Sequence, residues 1–319
     1  MKKRISILLV LLMILSISAS AFADDTRVVT DVWGREVEIP AKVESIVCLG
    51  SGAPRMAAYL DVIGMMVGCE DHDKAGINIL RDYSYNYVDQ IKDLPAVGSG
   101  GGSGANNGYA EEIINLQPDV ILAGFSAEAA DELSNQTGIP VVSVRYLSRN
   151  FVDESFYDAM RVFAETVGAQ ERCEKVLAYI DACKADLNTR TENIPEEDKP
   201  AVYAGAVTFS GRHGFGGTYA HFGPLMGVNA FNVADEAADQ NYYETDFEKN
   251  RFLGSGYYLF RSGQHGSCQR RIQHEPRLFP DFACRGRRKS LHNAVFQQLR
   301  HECNLCSDGQ LLRRNRTVS

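Results

Sequence analysis

Ser210-Gly211-Arg212-His213-Gly214 pairs a guanidinium carrying five donors with an imidazole that titrates near neutrality, and the glycines leave both free to reach a ligand. A second candidate is the run Gly98-Ser99-Gly100-Gly101-Gly102-Ser103-Gly104, followed by Asn106. Its glycines suggest a phosphate cradle, yet it has neither G-x-G-x-x-G nor the Lys and Ser/Thr of a P-loop, so cleft lining and a plain flexible connection both remain open readings. Near the end, His301-x-Cys303-x-x-Cys306, with Cys268 and Cys284, has the residue types of a zinc or nucleic-acid module. His72, His213 and His221 could serve a bare metal ion, but they lack i, i+4 spacing. Neither G-x-S-x-G nor H-E-x-x-H occurs, and no nucleophile or acid–base pair stands out, which argues against an enzyme.

The elements around these residues alternate in a regular way. Arg27 to Thr30 and Glu36 to Ile39 predict a hairpin about Asp31-Val32-Trp33-Gly34-Arg35. Strands are expected at Ser45–Leu49, Met65–Cys69, Asp119–Ala123 and Val141–Val144, with helices at Arg55–Ile63, Tyr109–Leu116 and Ala127–Thr137. Strand and helix in alternation predict an α/β fold with a parallel sheet. A second such unit opens with a strand at Ala201–Val207 and a helix near Tyr219–Met226. Ligands of open parallel sheets bind beyond the carboxyl ends of the strands. That places Ser51 and Arg55, the loop holding Gly101 and Asn106, Arg145 and Tyr146, and Arg212, His213 and Tyr219 as the binding candidates.

Between the two units, residues 151–195 predict a long helical spine. Phe156, Met160, Phe163 and Val167 keep helical spacing, and Val176, Leu177, Ile180 and Leu187 resume it after Gly168. Asn150 is the expected N-cap, Asp153 and Glu154 suit the first turn, and Pro195 follows the end. Cys173 and Cys183 would lie about 15 Å apart along such a helix, too far to bridge. Cys48 and Cys69 fall in strand-like runs and are expected to be buried.

Met1 to Ala23 has a basic start, an apolar run from Ile5 to Ile17 and Ala21-Phe22-Ala23, the pattern of a secretory signal cleaved near Ala23. No Cys adjoins that point, so no lipid anchor is expected, and the mature protein is expected in the periplasm or secreted. After residue 250 the chain has 13 Lys+Arg and 4 Asp+Glu, a net of +9; against −8 for the whole, this leaves −17 for residues 1–250. An acidic body speaks against nucleic acid as a partner.

Val32-x-Gly34-Arg35-x-Val37-x-Ile39-Pro40, Ser45-Ile46-Val47 and Ala110-Glu111-Glu112-Ile113-Ile114-x-Leu116-x-Pro118-Asp119-Val120-Ile121 together resemble the substrate-binding proteins of iron–siderophore, haem and cobalamin ABC importers. The resemblance covers roughly Thr26 to Lys249. It implies two Rossmann-like lobes joined by one rigid helical spine: residues 24–150, the spine 151–195, and a second lobe beginning at 196–250. It further implies a monomer without intrinsic cofactor that holds a metal chelate and docks on a membrane permease through one acidic residue per lobe. Glu111 takes the first docking position, whereas Gly223 stands at the second and carries no charge. A sibling family that binds bare zinc or manganese is the alternative, and a secreted enzyme a more distant one.

Residues 251–319 break the pattern, so that the second lobe is expected to be incomplete. Leu253-Gly254-Ser255-Gly256-Tyr257-Tyr258-Leu259-Phe260 can be written ctg gga tcc gga tat tat ctt ttt, which one nucleotide later reads Trp-Asp-Pro-Asp-Ile-Ile-Phe. This repeats Leu116-Gln117-Pro118-Asp119-Val120-Ile121-Leu122. Gln264 to Gln269 likewise permit Asn-Met-Asp-Leu-Val-Asn, and Lys289 to Asn293 permit Lys-Val-Tyr-Thr-Met. Lys249-Asn250 can be encoded by a run of adenines, a natural site for a frameshift. On this reading the basic charge and the Cys-x-x-Cys of the tail are accidents of frame. The tail is then expected to be poorly ordered, and the strand at Ala201–Val207 to be left with unpaired edges.

Overall fold

The computed structural model describes residues 25–50, 52–77, 81–100, 108–146, 153–199, 201–205, 207, 216–237 and 242–245, together with the backbone of 257–260. Residues 1–24, the expected signal sequence with the residue after it, and the rest of the tail lie outside the described residues. The chain divides into two compact units, Met1–Ala185 and Asp186–Ser319.

In the first unit, β1 (Thr26–Thr30) and β2 (Glu36–Pro40) form the expected antiparallel hairpin. Its turn is fastened rather than free. The Asp31 carboxylate is buried and accepts the backbone N–H of Trp33, Arg35 and Ser143, and Arg35 grips it through Nε and Nη2 at 3.0 and 2.7 Å. Arg35 also donates to the Val141 carbonyl at 3.0 Å. Backbone and side-chain donors thus satisfy a charge that would otherwise be costly to bury.

β3 (Ile46–Leu49), β4 (Met66–Gly68), β5 (Val120–Ala123) and β6 (Val141–Ser143) form a parallel sheet in the order β4-β3-β5-β6. All residues of β3, β5 and β6 are buried, because both faces are covered. Ile46, Cys48, Val120, Leu122 and Val142 face one side. There they meet α1 (Ala53–Tyr59), α6 (Glu154–Val167) and the start of α7 (Gln170–Thr191). Val47, Leu49, Ile121, Ala123 and Val141 face the other side, covered by Ile113 of α4 (Ala110–Leu116) and by Ala130 and Leu133 of α5 (Ala127–Thr137). Two short helices, α2 (Asp71–Lys74) and α3 (Ser84–Ile91), complete the unit.

The spine consists of two helices with a break. α6 buries Phe156, Met160 and Phe163, each worth about 1.5–3 kcal/mol on removal from water, and stops at Gly168 with φ +75°. Its N-cap is Asp153, which accepts from the Phe156 N–H at 3.2 Å; Asn150 lies outside the described residues. α7 buries only Cys173 and Leu177, so its stripe is narrower than that of α6. All four cysteines among the described residues are free thiols. Burial raises the Cys48 thiol well above its ordinary pKa and pushes Cys69 up to about 12.

In the second unit β7 (Ala201–Gly205) is not left with bare edges. It pairs in parallel with β9 (Phe231–Asn232) on one side and with β11 (Tyr257–Phe260) on the other. Four successive apolar residues suffice to extend a sheet, and Tyr-Tyr-Leu-Phe supplies them. β8 (Gly217–Tyr219) pairs antiparallel with β10 (Tyr242–Glu244), and α8 spans Gly223–Met226. Tyr219 therefore belongs to a strand, not to the start of a helix. Its ring packs 5.3 Å from that of Tyr242, a non-local pairing that no local pattern announces.

Candidate functional site

Strand order reverses in the first sheet between β3 and β5, since the chain passes from β3 outward to β4 and returns to β5 on the other side. Ligand crevices in open α/β sheets open at such a switch point, beyond the carboxyl ends of the strands. The loop after β3 holds Gly50 and Gly52, both with positive φ (+76° and +98°). A Cβ on Gly52 would stand 2.6 Å from Tyr146 Cε1 and 2.8 Å from its hydroxyl, so the Tyr146 ring lies directly over this glycine. The ring is held edge-on to Phe156, with centroids 5.4 Å apart. Two of the expected loops are thereby brought together, with Arg145 exposed beside them.

Arg55 projects from α1 but is already engaged. Its Nε donates to Asp82 at 3.0 Å, and its guanidinium lies 6.0 Å from the centroid of the Tyr83 ring. Burial disfavours its charge, yet Asp82, Tyr59 and Tyr146 outweigh that and raise its pKa further, so it stays cationic.

Glu70, directly after β4, is the residue that the sequence pattern does not single out. Its Oε1 accepts the Gly50 N–H at 2.9 Å, and a Cβ on Gly100 would come within 2.9 Å of Oε2. One carboxylate thus stands between the Gly50 loop and the beginning of the glycine run. Asp71 N–H and His72 N–H donate to the carbonyls of Gly98 and Ser99, which pins the same run from the other side. Desolvation pushes the Glu70 carboxyl up to about 7, against the opposing Gly50 hydrogen bond and with help from Asp73. Beneath it, Asp73 pairs with Arg81 at 3.0 Å and accepts the Tyr83 hydroxyl. The only sequence signal for Glu70 is an acidic residue at the end of a buried strand, which alone reads as surface.

On the far side of the switch point, the Trp33 indole N–H lies 2.9 Å from the Phe125 carbonyl and 3.0 Å from the Ser143 hydroxyl. The Phe125 ring fills the space a Gly50 Cβ would need. Ser51, Gly101, Asn106, Arg212 and His213 lie outside the described residues. Tyr219 is placed in the apolar core of the second unit with Val202, Ala204 and Leu225. Glu111 is exposed in the first turn of α4, and Gly223 opens α8. Among the described residues no three His, Cys, Asp or Glu side chains are grouped to hold a metal ion.

The arrangement offers the backbone of Gly50 and Gly52, the Tyr146 ring and the exposed Arg145 next to it in the chain. Residues 60–249 match the profile of the family described as periplasmic binding protein. No curated protein sequence matches the chain. Among solved structures, the molybdate periplasmic binding protein MolA of Haemophilus influenzae is similar at 18% identity and a TM-score of 0.56, over 73% of each chain. The haem-binding protein HmuT is similar at 19% identity and a TM-score of 0.53, over 77% of this chain and 73% of its own. The TroA-like periplasmic binding protein FepB of Veillonella parvula is similar at 19% identity and a TM-score of 0.54, over 73% of this chain and 69% of its own.

Proposed function

Because this chain belongs to the periplasmic binding protein family of ABC importers, whose members work outside the cytoplasm, we propose that it receives an intact metal chelate, an iron–siderophore, haem or cobalamin-type ligand, and delivers it to a membrane permease. The observation that carries this reading is the Tyr146 ring seated on Gly52 at the switch point, beside the exposed Arg145. A chelate is wide, partly apolar and often anionic. A ring face over a glycine loop gives it contact area with close backbone approach, and arginine neutralises its carboxylate or phenolate oxygens. In the second unit, Arg212 and His213 are assigned the same task, as are Ser51, Gly101 and Asn106 in the first. No intrinsic cofactor and no catalytic step enter this reading, and the protein acts as a monomer.

Glu111 is assigned to the permease. It is exposed on a short helix at the edge of the first unit, where a basic residue of a partner can reach it. Titration with haem, a ferric catecholate, a ferric hydroxamate, cobalamin, molybdate and Zn²⁺ tests the ligand class. One of the four chelates should bind, and Arg145→Ala or Arg212→Ala with His213→Ala should weaken it about tenfold or more without loss of fold. Binding of Zn²⁺ or molybdate alone would overturn the proposal. Glu111→Ala should leave binding intact and depress uptake by cells.

A further inference from the structure

The second sheet repeats the first. β3 lies between β4 and β5, and β7 lies between β9 and β11, all parallel and in the same chain order. Register makes the correspondence residue by residue. Ile46 stands opposite Val120, and Val202 stands opposite Tyr257. Tyr257 is therefore the counterpart of Val120, and in the sequence Ser255-Gly256 precede Tyr257 as Pro118-Asp119 precede Val120.

In the first sheet that place has a definite task. The Asp119 carboxylate accepts the N–H of Glu44 at 2.7 Å and of Ser45 at 2.8 Å, and the Asp119 N–H donates to the Ser45 hydroxyl at 3.0 Å. This lock fixes where β5 starts against β3. Gly256 has no side chain to repeat it. Reading one nucleotide later, the codons of Ser255, Gly256 and Tyr257 permit Pro, Asp and Ile. The register of β11 and the shifted reading agree: the Pro-Asp that the codons permit falls two and one residues before Tyr257, as Pro118-Asp119 fall before Val120.

We propose that the polypeptide this gene is built to encode leaves the written frame between Lys249 and Leu253 and continues one nucleotide later to its end. The aspartate then replacing Gly256 would take the N–H of Ala201 as Asp119 takes that of Ser45; Pro200 has no N–H to offer. The same shift remains coherent at the far end. The codons of Cys303 to Arg314 permit Val-Ile-Phe-Ala-Leu-Met-Ala-Asn-Tyr-Phe-Ala-Gly. Large apolar residues would then fall at the positions of Cys303, Asn304, Leu305, Ser307, Asp308, Leu311 and Leu312, a broad apolar face at i, i+4 spacing, closed by glycine. His301-x-Cys303-x-x-Cys306 disappears from that chain.

The test reads the nucleotides from Lys249 to Ser319 and identifies peptides of the exported protein in its native cells. Expected are codons that spell Trp-Asp-Pro-Asp-Ile-Ile-Phe one base later, a shifted frame still open at Ser319, and peptides from that frame. A stop codon in the shifted frame before Ser319, codons lacking the shifted Pro-Asp, or peptides of the written tail alone would overturn the proposal. Where native cells yield no protein, both chains are made recombinantly. The shifted chain should unfold at the higher urea concentration, and an equal or higher midpoint for the written chain sinks the idea.

Discussion

Glu70 stands with its carboxylate between the Gly50 loop and Gly100, and its titration provides a direct handle on both. Folded, it holds its proton up to about 7; in the unfolded chain it releases it near the ordinary 4.5. The folded state thus binds more protons between those values. The group's contribution to stability is complete below about 4.5 and is lost as pH rises through about 7. Glu70→Gln keeps an acceptor for Gly50 without the charge. Its stability relative to wild type should therefore rise between pH 4.5 and 8, by an order of 1–3 kcal/mol; urea midpoints at pH 4.5 and 8 decide, and a pH-independent gap would refute it. Gly52 gives a second contrast. Gly34→Ala meets nothing within 4 Å at φ +77° and should cost about 1 kcal/mol from backbone strain alone. Gly52→Ala adds a clash with the Tyr146 ring and should cost about 2–3 kcal/mol by thermal unfolding. Arg55 and Tyr146 were legible in the sequence as residues just beyond strands. That Arg55 is tied to Asp82 was not, because the partner lies 27 residues away in the chain.

At the scale of elements, strands that are apolar throughout, such as Ile46–Leu49 and Val120–Ala123, are readable because a sheet covered on both faces needs no alternation. Ends are harder. Asn150 and Asp153 are equally good caps by type, and the choice falls on Asp153, whose carboxylate also accepts the Ser155 hydroxyl at 2.7 Å. Asp153→Ala should cost about 1 kcal/mol in a denaturation experiment. The helix expected at Arg55–Ile63 starts earlier and ends at Tyr59, where Asp61 takes φ +61°. Tyr219 departs from the expected helix for a different reason: its strand exists through pairing with Tyr242–Glu244, more than twenty residues on.

For the whole molecule, residues 1–250 carry a net −17 and residues 251–319 a net +9, and the proposed change of frame would account for the reversal of sign after residue 250. β11 would keep its character in either frame: its codons yield four apolar residues as written and permit three when shifted. In the written chain, limited proteolysis should cut after about residue 250 well before it cuts between Thr26 and Val144. Equal protection would show that the tail folds and would return His301, Cys303 and Cys306 to consideration as metal ligands. Among the described residues no helix is long and apolar enough to cross a membrane. Export should remove residues 1–23, so the N-terminal sequence of the mature protein should begin at Asp24 or its immediate neighbours.

Trp33, tied to the carbonyl of Phe125 and the hydroxyl of Ser143, is the sole indole of the written sequence. In the written chain fluorescence therefore comes from one address, at the rim of the first sheet and 38% exposed. A coloured cargo seated near Gly50 would drain that emission, whereas a colourless oxyanion would barely touch it.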